Sequence, residues 1–381
     1  MTSLLIGSLP WEGSATLSAL ELPFILLVDP VDRPYRIEGK PIAIVEAPFK
    51  ADPLCVLKIP FSEHITSIFS FTELGLLPAA LLAEAMNLAT VPVAAVLRTR
   101  NKFFMRCALR GKMEQPEFGL VQMSNPKDLP YPVIVKPLDS SGSRGIAYVD
   151  GPAAFEKYVS QGTPCLWERY VEGPEFSVEA VTRDGCHQIL GITEKITTGS
   201  PHFVEIGHRV PAQLSTRATR EITETICRCL DLLGVDKGAS HTEVKYANSQ
   251  VMIIETHTRA GGDRIPLLTK LVSGYDQYEL AVCTSLGRSV PKRGEKKFNC
   301  AAVRYFKWPE GRIASIDGVE SCRTLPGVIE IEVKAKKGEC MPQFRHSHDR
   351  PGFVVVGGDS FEEVEARLAV VESQIKISYD N

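Results

Sequence analysis

The sequence predicts a multi-lobed protein of mixed α/β and α+β class, and three observations support this prediction. The chain has 381 residues, which exceeds the usual size of a single hydrophobic core and predicts two or three lobes from length alone. Short apolar runs alternate with helical patterns over about the first 95 residues, an order typical of a parallel α/β lobe. Beyond that point hairpins predominate, as in α+β lobes. These changes divide the chain into predicted lobes at residues 1–95, 96–165, 166–290 and 291–381.

Composition and charge exclude several classes of protein. Hydrophobic residues make up 44% of the chain and charged residues 23%, as in soluble globular proteins. The net charge is −3 and the basic residues are dispersed, so neither nucleic acid nor an anionic membrane is expected as a partner. No apolar run approaches the roughly 18 residues that a membrane span requires. Ten cysteines without C-x-x-C pairs indicate reduced thiols in the cytoplasm and no zinc site.

The first predicted lobe, residues 1–95, is a small parallel α/β unit. Its predicted strands are Ser3–Ile6, Phe24–Val28, Ile42–Val45 and Ser67–Phe71, and its clearest predicted helix is Leu76–Leu88. Gly7 and Gly13 do not form a G-x-G-x-x-G motif, so a nicotinamide cofactor is not expected.

The second predicted lobe, residues 96–165, contains a glycine- and serine-rich loop between two strands. A helix begins near Lys102, capped by Thr99 or Asn101. The strand Val133–Lys136 then leads into residues 137–145, PLDSSGSRG, and a second strand follows at Ile146–Val149. Backbone N–H groups and hydroxyls in such a flap can surround phosphate oxygens, although a plain flexible turn has the same composition. The lysine at the end of the strand favours the phosphate interpretation.

The third predicted lobe, residues 166–290, ends its sheet with a hairpin that carries two acids. Glu243 and Glu255 lie at nearly equal distances from the turn at residues 247–250, so their carboxylates should converge. Oxygen-rich pairs of this kind suit Mg²⁺, whereas the alternative is a surface hairpin with solvated acids. Upstream, Thr216–Leu233 is predicted as an amphipathic helix, and residues 193–212 as a loop too polar and irregular for a strand. The fourth lobe, 291–381, is predicted to be an α+β appendage.

Taken together, these segments resemble the ATP-grasp superfamily, and specifically its carboxylate–amine ligases of the L-amino-acid ligase type. The resemblance covers roughly residues 70 to 290 and implies an ATP-grasp fold. It is carried by six marks in the same order as in that family: residues 100–102 (RNK), 133–137 (VIVKP), 140–145 (SSGSRG), 168–176 (ERYVEGPEF), 199–208 (GSPHFVEIGH), and the acid pair that closes with 255–263 (ETHTRAGGD).

The resemblance implies an ATP site with Mg²⁺ as cofactor. The phosphates would be held by Lys102, Lys136 and, as a further contact, Lys195, and they would be covered by the flap residues Ser140, Ser141, Gly142, Ser143 and Gly145. The adenine would meet the backbone around Glu168, Arg169, Tyr170 and Val171, and the ribose hydroxyls would meet Glu175. Glu243 and Glu255 would bind the Mg²⁺ ions.

The resemblance also implies a reaction: ATP converts a carboxylate to an acyl phosphate, and an amine then displaces phosphate. Arg259 would stabilise the developing oxyanion with the amides of Gly261 and Gly262, and His208 would lie near the reacting phosphate. The implied substrate contacts are His202, Glu205 and Asp263.

One position departs from the family pattern. His257 stands where the superfamily usually has an asparagine that binds the metal. Imidazole is a poorer partner for Mg²⁺ than an amide oxygen. His257 is therefore expected to contact the metal weakly, to favour Mn²⁺, or to bind phosphate or substrate instead.

The sequence leaves the acceptor open. The leading hypothesis is a ligase that joins an amino acid, or a similar small acid, to an amino-acid amine and releases ADP and phosphate. The alternatives are an enzyme of the same fold with a different small-molecule acceptor and an inactive nucleotide-binding scaffold. Resembling proteins often form homodimers, so a homodimer is compatible with the sequence.

Overall fold

The computed structural model describes residues 2–139, 144–200 and 202–380. The described strands form four sheets, of four, four, eight and three strands. No described helix is both long and apolar enough to cross a membrane.

The N-terminal lobe is built on a parallel sheet, as predicted. Its strand order is β3-β2-β1-β4, and β1 and β2 form its buried centre because nearly all their side chains are apolar and lie between helices. The elements are β1 (Thr2–Ile6), α1 (Glu12–Ala19), β2 (Phe24–Val28), β3 (Ala43–Glu46), β4 (Ile65–Phe69), α2 (Leu76–Ala85) and α3 (Val93–Arg100).

The next segment forms an antiparallel sheet of order β5-β8-β6-β7. Asn101 caps the helix before it, since its side chain accepts hydrogen bonds from the N–H groups of Phe103 and Phe104. Strands β6 and β7, the two predicted strands that flank the glycine- and serine-rich loop, pair antiparallel. The elements are α4 (Lys102–Leu109), β5 (Phe118–Leu120), β6 (Val133–Pro137), β7 (Ala147–Val149), α5 (Pro152–Ser160) and β8 (Cys165–Arg169).

The largest sheet follows, and α6 packs on it. The apolar side chains Ile222, Ile226 and Leu233 recur along one face of α6 and are fully buried against the sheet. Ser215 caps the start of α6, and Gly234, with a φ of 80°, ends it. The elements are β9 (Glu175–Arg183), β10 (Cys186–Thr197), β11 (Glu205–Val210), α6 (Thr216–Leu233), β12 (Lys237–Ala247), β13 (Gln250–His257), α7 (Ile265–Ser273) and α8 (Gln277–Ser285).

The C-terminal segment contains both strands and helices, as predicted, and most of its strands join the large sheet. Its strands β14, β18 and β16 extend the large sheet, whose order is β13-β12-β9-β10-β11-β14-β18-β16. A smaller sheet of order β17-β15-β19 lies beside it. The elements are β14 (Cys300–Tyr305), β15 (Gly311–Asp317), α9 (Val319–Cys322), β16 (Val328–Val333), β17 (Cys340–Met341), β18 (Gly352–Gly358), α10 (Phe361–Gln374) and β19 (Lys376–Tyr379).

The polar tract at residues 193–212 is mostly strand, so its prediction as an irregular loop was wrong. Strand β10 extends through it to Thr197, and β11 pairs with β10 and places Lys195 opposite His208. Both side chains are more than nine-tenths buried. The polar composition was misleading because these side chains are buried against charged partners and not exposed to water.

The sequence expectation of four lobes, with boundaries near residues 95, 165 and 290, remains a prediction. Arg264 connects three of these segments, because its guanidinium bonds Glu12 at 2.8 Å and Glu330 at 2.5 Å. It also lies over the ring of Phe353. The segments therefore meet at the loop that follows β13.

Candidate active site

The predicted acid pair lies where the sequence placed it, on the hairpin of β12 and β13. Glu243 and Glu255 are direct cross-strand partners, so both carboxylates lie on the same face of the sheet. Each is held by one buried lysine: Lys195 Nζ lies 2.8 Å from Glu243, and Lys102 Nζ lies 3.0 Å from Glu255. The surface-hairpin interpretation is thereby excluded.

The cations around both acids favour their ionised forms. Burial alone would raise the pKa of Glu243, but Lys195 and His241 outweigh burial and hold the pKa at about 2. Burial likewise opposes ionisation of Glu255, yet Lys102 and His257 hold its pKa well below the usual value. Two negative charges are thus kept side by side by cations.

Lys195 lies between three carboxylates. Its Nζ is 2.5 Å from Glu175 and 3.8 Å from Glu205, in addition to the contact with Glu243. Burial lowers the pKa of Lys195, but Glu175 and Glu243 outweigh it and raise the pKa well above the usual value. The residues predicted for ribose, phosphate and metal therefore form one connected cluster.

Lys136, near the end of β6, lies beside a second buried cation that the sequence analysis missed. Glu168 on β8 accepts from Lys136 at 2.6 Å and from Arg106 Nε at 2.5 Å. Arg106 also donates to the carbonyl oxygens of Ile253 at 2.8 Å and Ile254 at 3.2 Å. Burial raises the pKa of Glu168, but Arg106 and Lys136 outweigh it and hold the pKa at about 2.

A sequence signal for Arg106 exists. It lies four residues after Lys102, so both project from the same face of α4. Arg106 has no exposed surface, and its three contacts join α4, β8 and the acid-bearing strand β13.

The segment predicted to meet adenine is lined by aromatic rings. Tyr170 packs edge-on against Tyr148 at 5.3 Å between centroids and lies 6.0 Å from the ring of Phe203. Lys245 donates to the carbonyl oxygen of Val171 at 2.8 Å and lies over the Tyr170 ring. These contacts bring the tip of the β10–β11 hairpin and strand β7 to the same place.

Two residues of the segment predicted to meet adenine through its backbone have side chains with other partners. The side chain of Arg169 is mostly exposed and lies 3.4 Å from Glu117. That of Glu168 is occupied by Arg106 and Lys136. The prediction for these residues concerned their backbone, which the side-chain contacts do not test.

The flap itself is only partly described. Ser140, Ser141, Gly142 and Ser143 lie outside the described residues. Gly145 has a φ of 72°, and a Cβ there would come within 2.9 Å of Pro137, so this position requires glycine.

His257 lies between two carboxylates. Its Nε2 is 3.1 Å from Glu255, and its Nδ1 is 2.9 Å from Glu73, although the latter contact lacks hydrogen-bond geometry. Glu73, which the sequence analysis did not single out, also accepts from Arg259 Nε at 2.7 Å. The N-terminal lobe thereby reaches the predicted catalytic arginine.

His208 and Asp263 meet on the side of the site that faces the C-terminal lobe. His208 Nε2 lies 3.3 Å from Asp263, and Arg350 binds both oxygens of Asp263 at 2.7 Å. Arg350 also lies 3.8 Å from the centroid of the Tyr305 ring. Burial raises the pKa of Asp263, but His208 and Arg350 outweigh it and lower the pKa well below the usual value. No sequence pattern linked Arg350 to this site, because it lies 87 residues away along the chain.

The remaining predicted substrate contacts differ in position. Glu205 lies in the cluster, where it accepts from Ser347 at 2.9 Å. His202 is exposed near the hairpin tip, so the structure does not bring its side chain into the cluster.

The two predicted loop glycines also differ. The N–H of Gly261 donates to Glu179 at 3.2 Å. At Gly262, a Cβ would meet no described atom within 4 Å, so this position faces open space.

The acid pair fits Mg²⁺ by donor chemistry. Both acids present carboxylate oxygens, the donors that Mg²⁺ prefers, beside cations that neutralise them. Within the described residues, no group of three or more His, Cys, Asp or Glu is arranged to hold a metal by itself. A metal at this site would therefore need ligands from water or from a bound phosphate.

Two family models match the chain. Residues 152–266 match the ATP-grasp domain, and residues 304–380 match the L-amino acid ligase C-terminal domain 2.

Curated relatives match parts of the chain at low identity. The uncharacterized protein y4rH of Sinorhizobium fredii is 23% identical over 59% of this chain and 48% of its own length. The ATP-grasp enzyme fsqD of Aspergillus fumigatus is 24% identical over 59% of this chain and 43% of its own. The carbamoyl phosphate synthase large chain of Thermotoga neapolitana is 27% identical over 52% of this chain and 18% of its own. The chain thus spans about half, or less, of the length of these relatives.

Solved structures match the whole fold. An L-amino acid ligase from Bacillus licheniformis superposes with a TM-score of 0.84 at 23% identity, covering 100% of this chain and 99% of that one. A phosphoribosylglycinamide synthetase from Anaerococcus prevotii gives 0.76 at 17% identity, with coverage of 100% and 99%. A biotin carboxylase from Campylobacter jejuni gives 0.72 at 17% identity, with coverage of 99% and 92%. The predicted ATP-grasp fold is confirmed.

Proposed function

We propose that this chain, which belongs to the ATP-grasp superfamily, is an ATP-dependent ligase that joins the carboxylate of an amino acid or similar small acid to an amino-acid amine. The observation that carries the proposal is the pair of opposed carboxylates, Glu243 and Glu255, each held by a buried lysine. A magnesium nucleotide carries charges of both signs. Its Mg²⁺ can replace the lysines beside the two acids, and its phosphates can replace the acids beside the lysines.

An exchange of ion-pair partners, from carboxylates to phosphates, would account for the burial of the lysines. On nucleotide binding, Lys102 and Lys136 would pass from Glu255 and Glu168 to the α- and β-phosphates, and Lys195 would remain near the ribose acid Glu175. Bound Mg²⁺ would neutralise phosphate charge at Glu243 and Glu255. Phosphoryl transfer depends chiefly on such charge compensation and positioning.

The flap and the aromatic segment would cover the rest of the nucleotide. Residues 140–145 would close on the β- and γ-phosphates. Tyr170 and Val171 would meet the adenine, a role supported by the aromatic side chains that converge there.

Two bond exchanges follow. In the first, an oxygen of the acid attacks the γ-phosphorus, the bond to the β-phosphate oxygen breaks, and ADP leaves. In the second, the amine nitrogen attacks the carbonyl carbon, the bond to the phosphate oxygen breaks, and phosphate leaves. Arg259, held by Glu73, would stabilise the oxyanion, because its fork suits paired oxygens.

The proton of the attacking amine needs an acceptor near the second step. His208 is buried, its Nε2 faces Asp263, and no described group hydrogen-bonds its Nδ1. Asp263 is fixed in turn by Arg350, so the pair has one orientation.

We assign the substrates to the space between the β10–β11 hairpin, which carries His202 and Glu205, and the C-terminal lobe.

His257 has a different role in this proposal from that of the usual asparagine. Its Nε2 already holds Glu255, so it would orient that acid and link it to Glu73. A direct bond to Mg²⁺ or Mn²⁺ would require that contact to break.

A different acceptor is the second candidate, because similar folds include biotin carboxylase and phosphoribosylglycinamide synthetase. Release of ADP and phosphate should be measured over a matrix of amino-acid pairs, with bicarbonate as a further acceptor and products identified by mass. Turnover that requires both an acid and an amine supports the ligase. Turnover with bicarbonate alone supports the second candidate. If no combination gives turnover, the inactive scaffold is supported.

The setting of the enzyme is part of the proposal. We expect it to act in the cytoplasm on small molecules, as a monomer or a homodimer.

A further inference from the structure

We propose that Glu179 is a positioning residue that fixes the metal-binding acid Glu243 and the catalytic glycine loop together. The inference rests on the proposed function, because it concerns the same metal site and the same loop. Glu179 lies in the middle of β9 and has no exposed surface.

Strand register places Glu179 in the row next to the acid pair, on the same face of the sheet. Glu179 pairs with His241 across β9 and β12, and His241 pairs with His257 across β12 and β13. Two residues along, Glu243 and Glu255 form the next row on the same face, because side chains in a strand repeat their direction every second residue. The row of Glu179, His241 and His257 therefore supports the acid row.

One oxygen of Glu179 is connected to Glu243, the proposed metal-binding acid, through His241. Glu179 Oε1 lies 2.5 Å from His241 Nδ1, and His241 Nε2 lies 3.3 Å from Glu243 Oε1. Because both ring nitrogens face carboxylate oxygens, the ring is fixed at both ends. This leaves Glu243 with one oxygen on His241 and the other, Oε2, on Lys195.

The other oxygen of Glu179 acts on the glycine loop. Glu179 Oε2 accepts the N–H of Gly261 at 3.2 Å. A Cβ on Gly261 would lie 2.8 Å from His241 Nδ1 and 3.1 Å from both Glu179 oxygens, so the loop backbone packs directly on the pair. The N–H of Gly261 is thereby committed to Glu179, which leaves Arg259 and Gly262 as the loop groups for the oxyanion.

Only a carboxylate can satisfy both partners. It offers two acceptor oxygens to two N–H donors, and burial of its charge is compensated by these bonds. An amide at this position would turn an NH₂ group toward one of the two donors. In either orientation Glu179→Gln removes the negative charge that faces His241, so it should loosen the hold of His241 on Glu243, and one orientation also deprives the N–H of Gly261 of its acceptor.

The test compares three variants and a control by metal binding and by turnover. Binding of Mn²⁺ in the presence of ADP is followed by electron paramagnetic resonance, and folding by circular dichroism. Loss of a group that orients a metal ligand weakens metal binding about tenfold or more, so Glu179→Gln should do so and also lower kcat at saturating metal. His241→Gln should weaken Mn²⁺ binding but keep the Gly261 contact, so its kcat at saturating metal should fall less.

Thr182→Val is the matched control. Thr182 lies on the same strand and is equally buried, but its hydroxyl lies 2.7 Å from His187 Nδ1, at the end of β9 away from the acid pair. Its Mn²⁺ affinity and kcat should equal those of the wild type.

Glu179→Asp separates positioning from a purely structural role. It keeps both acceptor oxygens, so it should bind Mn²⁺ more tightly than Glu179→Gln. The proposal is overturned if the folded Gln variant binds Mn²⁺ and ADP as the wild type does. It is overturned equally if Gln and Asp variants lose stability while their folded fractions retain wild-type metal affinity. Metal binding needs no acceptor, so a wild type without turnover would refute the proposed function and leave this test intact.

Discussion

Replacing Arg106 with lysine tests whether the buried network beneath the ATP site is held by a forked cation. The guanidinium of Arg106 bonds Glu168 and also donates to the carbonyl oxygens of Ile253 and Ile254. A lysine keeps the positive charge but has one nitrogen on a different stem. It can keep the bond to Glu168 only by leaving at least one carbonyl oxygen on β13 without a donor.

The size of the effect follows from these contacts. A buried polar group that loses its partner costs about 1–3 kcal/mol, and the bond to Ile254 is the longer of the two. We therefore expect Arg106→Lys to lower the free energy of unfolding by about 1–3 kcal/mol. A single ammonium group shared between Glu168 and the carbonyl oxygens would bind Glu168 less fully than the guanidinium does. Glu168 would then attract Lys136 more strongly, so the KM for ATP should rise about tenfold, which corresponds to about 1.4 kcal/mol.

Unfolding in urea, followed by tryptophan fluorescence, measures the stability, and a steady-state titration of ATP measures the KM. Arg110→Lys is the matched control, because Arg110 ends the same helix but is exposed, and its effect should stay within about 0.5 kcal/mol. If the two variants unfold with free energies that agree within about 0.5 kcal/mol, the network reasoning is refuted.

Three further predictions follow from other contacts. Arg350→Leu leaves Asp263 without its bidentate partner, so the KM for the amine should rise more than the KM for ATP; equal rises would contradict the assignment. Gly261→Ala forces a Cβ into the space 2.8 Å from a buried histidine nitrogen, so its kcat should fall strongly. A Cβ at Gly262 would enter open space, so the kcat of Gly262→Ala should fall less. Because the folded pKa of Glu168 is about 2, below the ordinary 4.5, its contribution of about 3 kcal/mol is complete above pH 4.5 and is lost as the pH falls toward 2. The difference in unfolding free energy between the wild type and Glu168→Gln should shrink over that range, and a constant difference would contradict it.

The acid hairpin shows how far local pattern reaches. Two acids equidistant from a short turn must face each other in an antiparallel hairpin, and the structure pairs Glu243 with Glu255 as expected. The bounds of β2 and α6 were also predicted to the residue, because apolar periodicity and local caps fix such elements.

The polar hairpin shows where local pattern fails. Residues 193–212 were predicted as a loop because polar residues usually face water. Lys195 and His208 are nevertheless buried on neighbouring strands, since carboxylates from other strands and from the loop after β13 compensate them. Partners supplied by other segments leave no mark on the local sequence.

The distinction between local pattern and contacts from distant segments also separates what the sequence determined from what the tertiary structure decided. The sequence by itself predicted the fold class and nominated most residues of the charged cluster, because strand periodicity, turns and motif order are local properties. Only the tertiary structure decided that Glu73, Arg106 and Arg350 complete the site, because each contact joins segments far apart in the chain. It also decided that the C-terminal strands continue the large sheet, since an edge strand takes its partner through backbone hydrogen bonds that side-chain patterns do not specify.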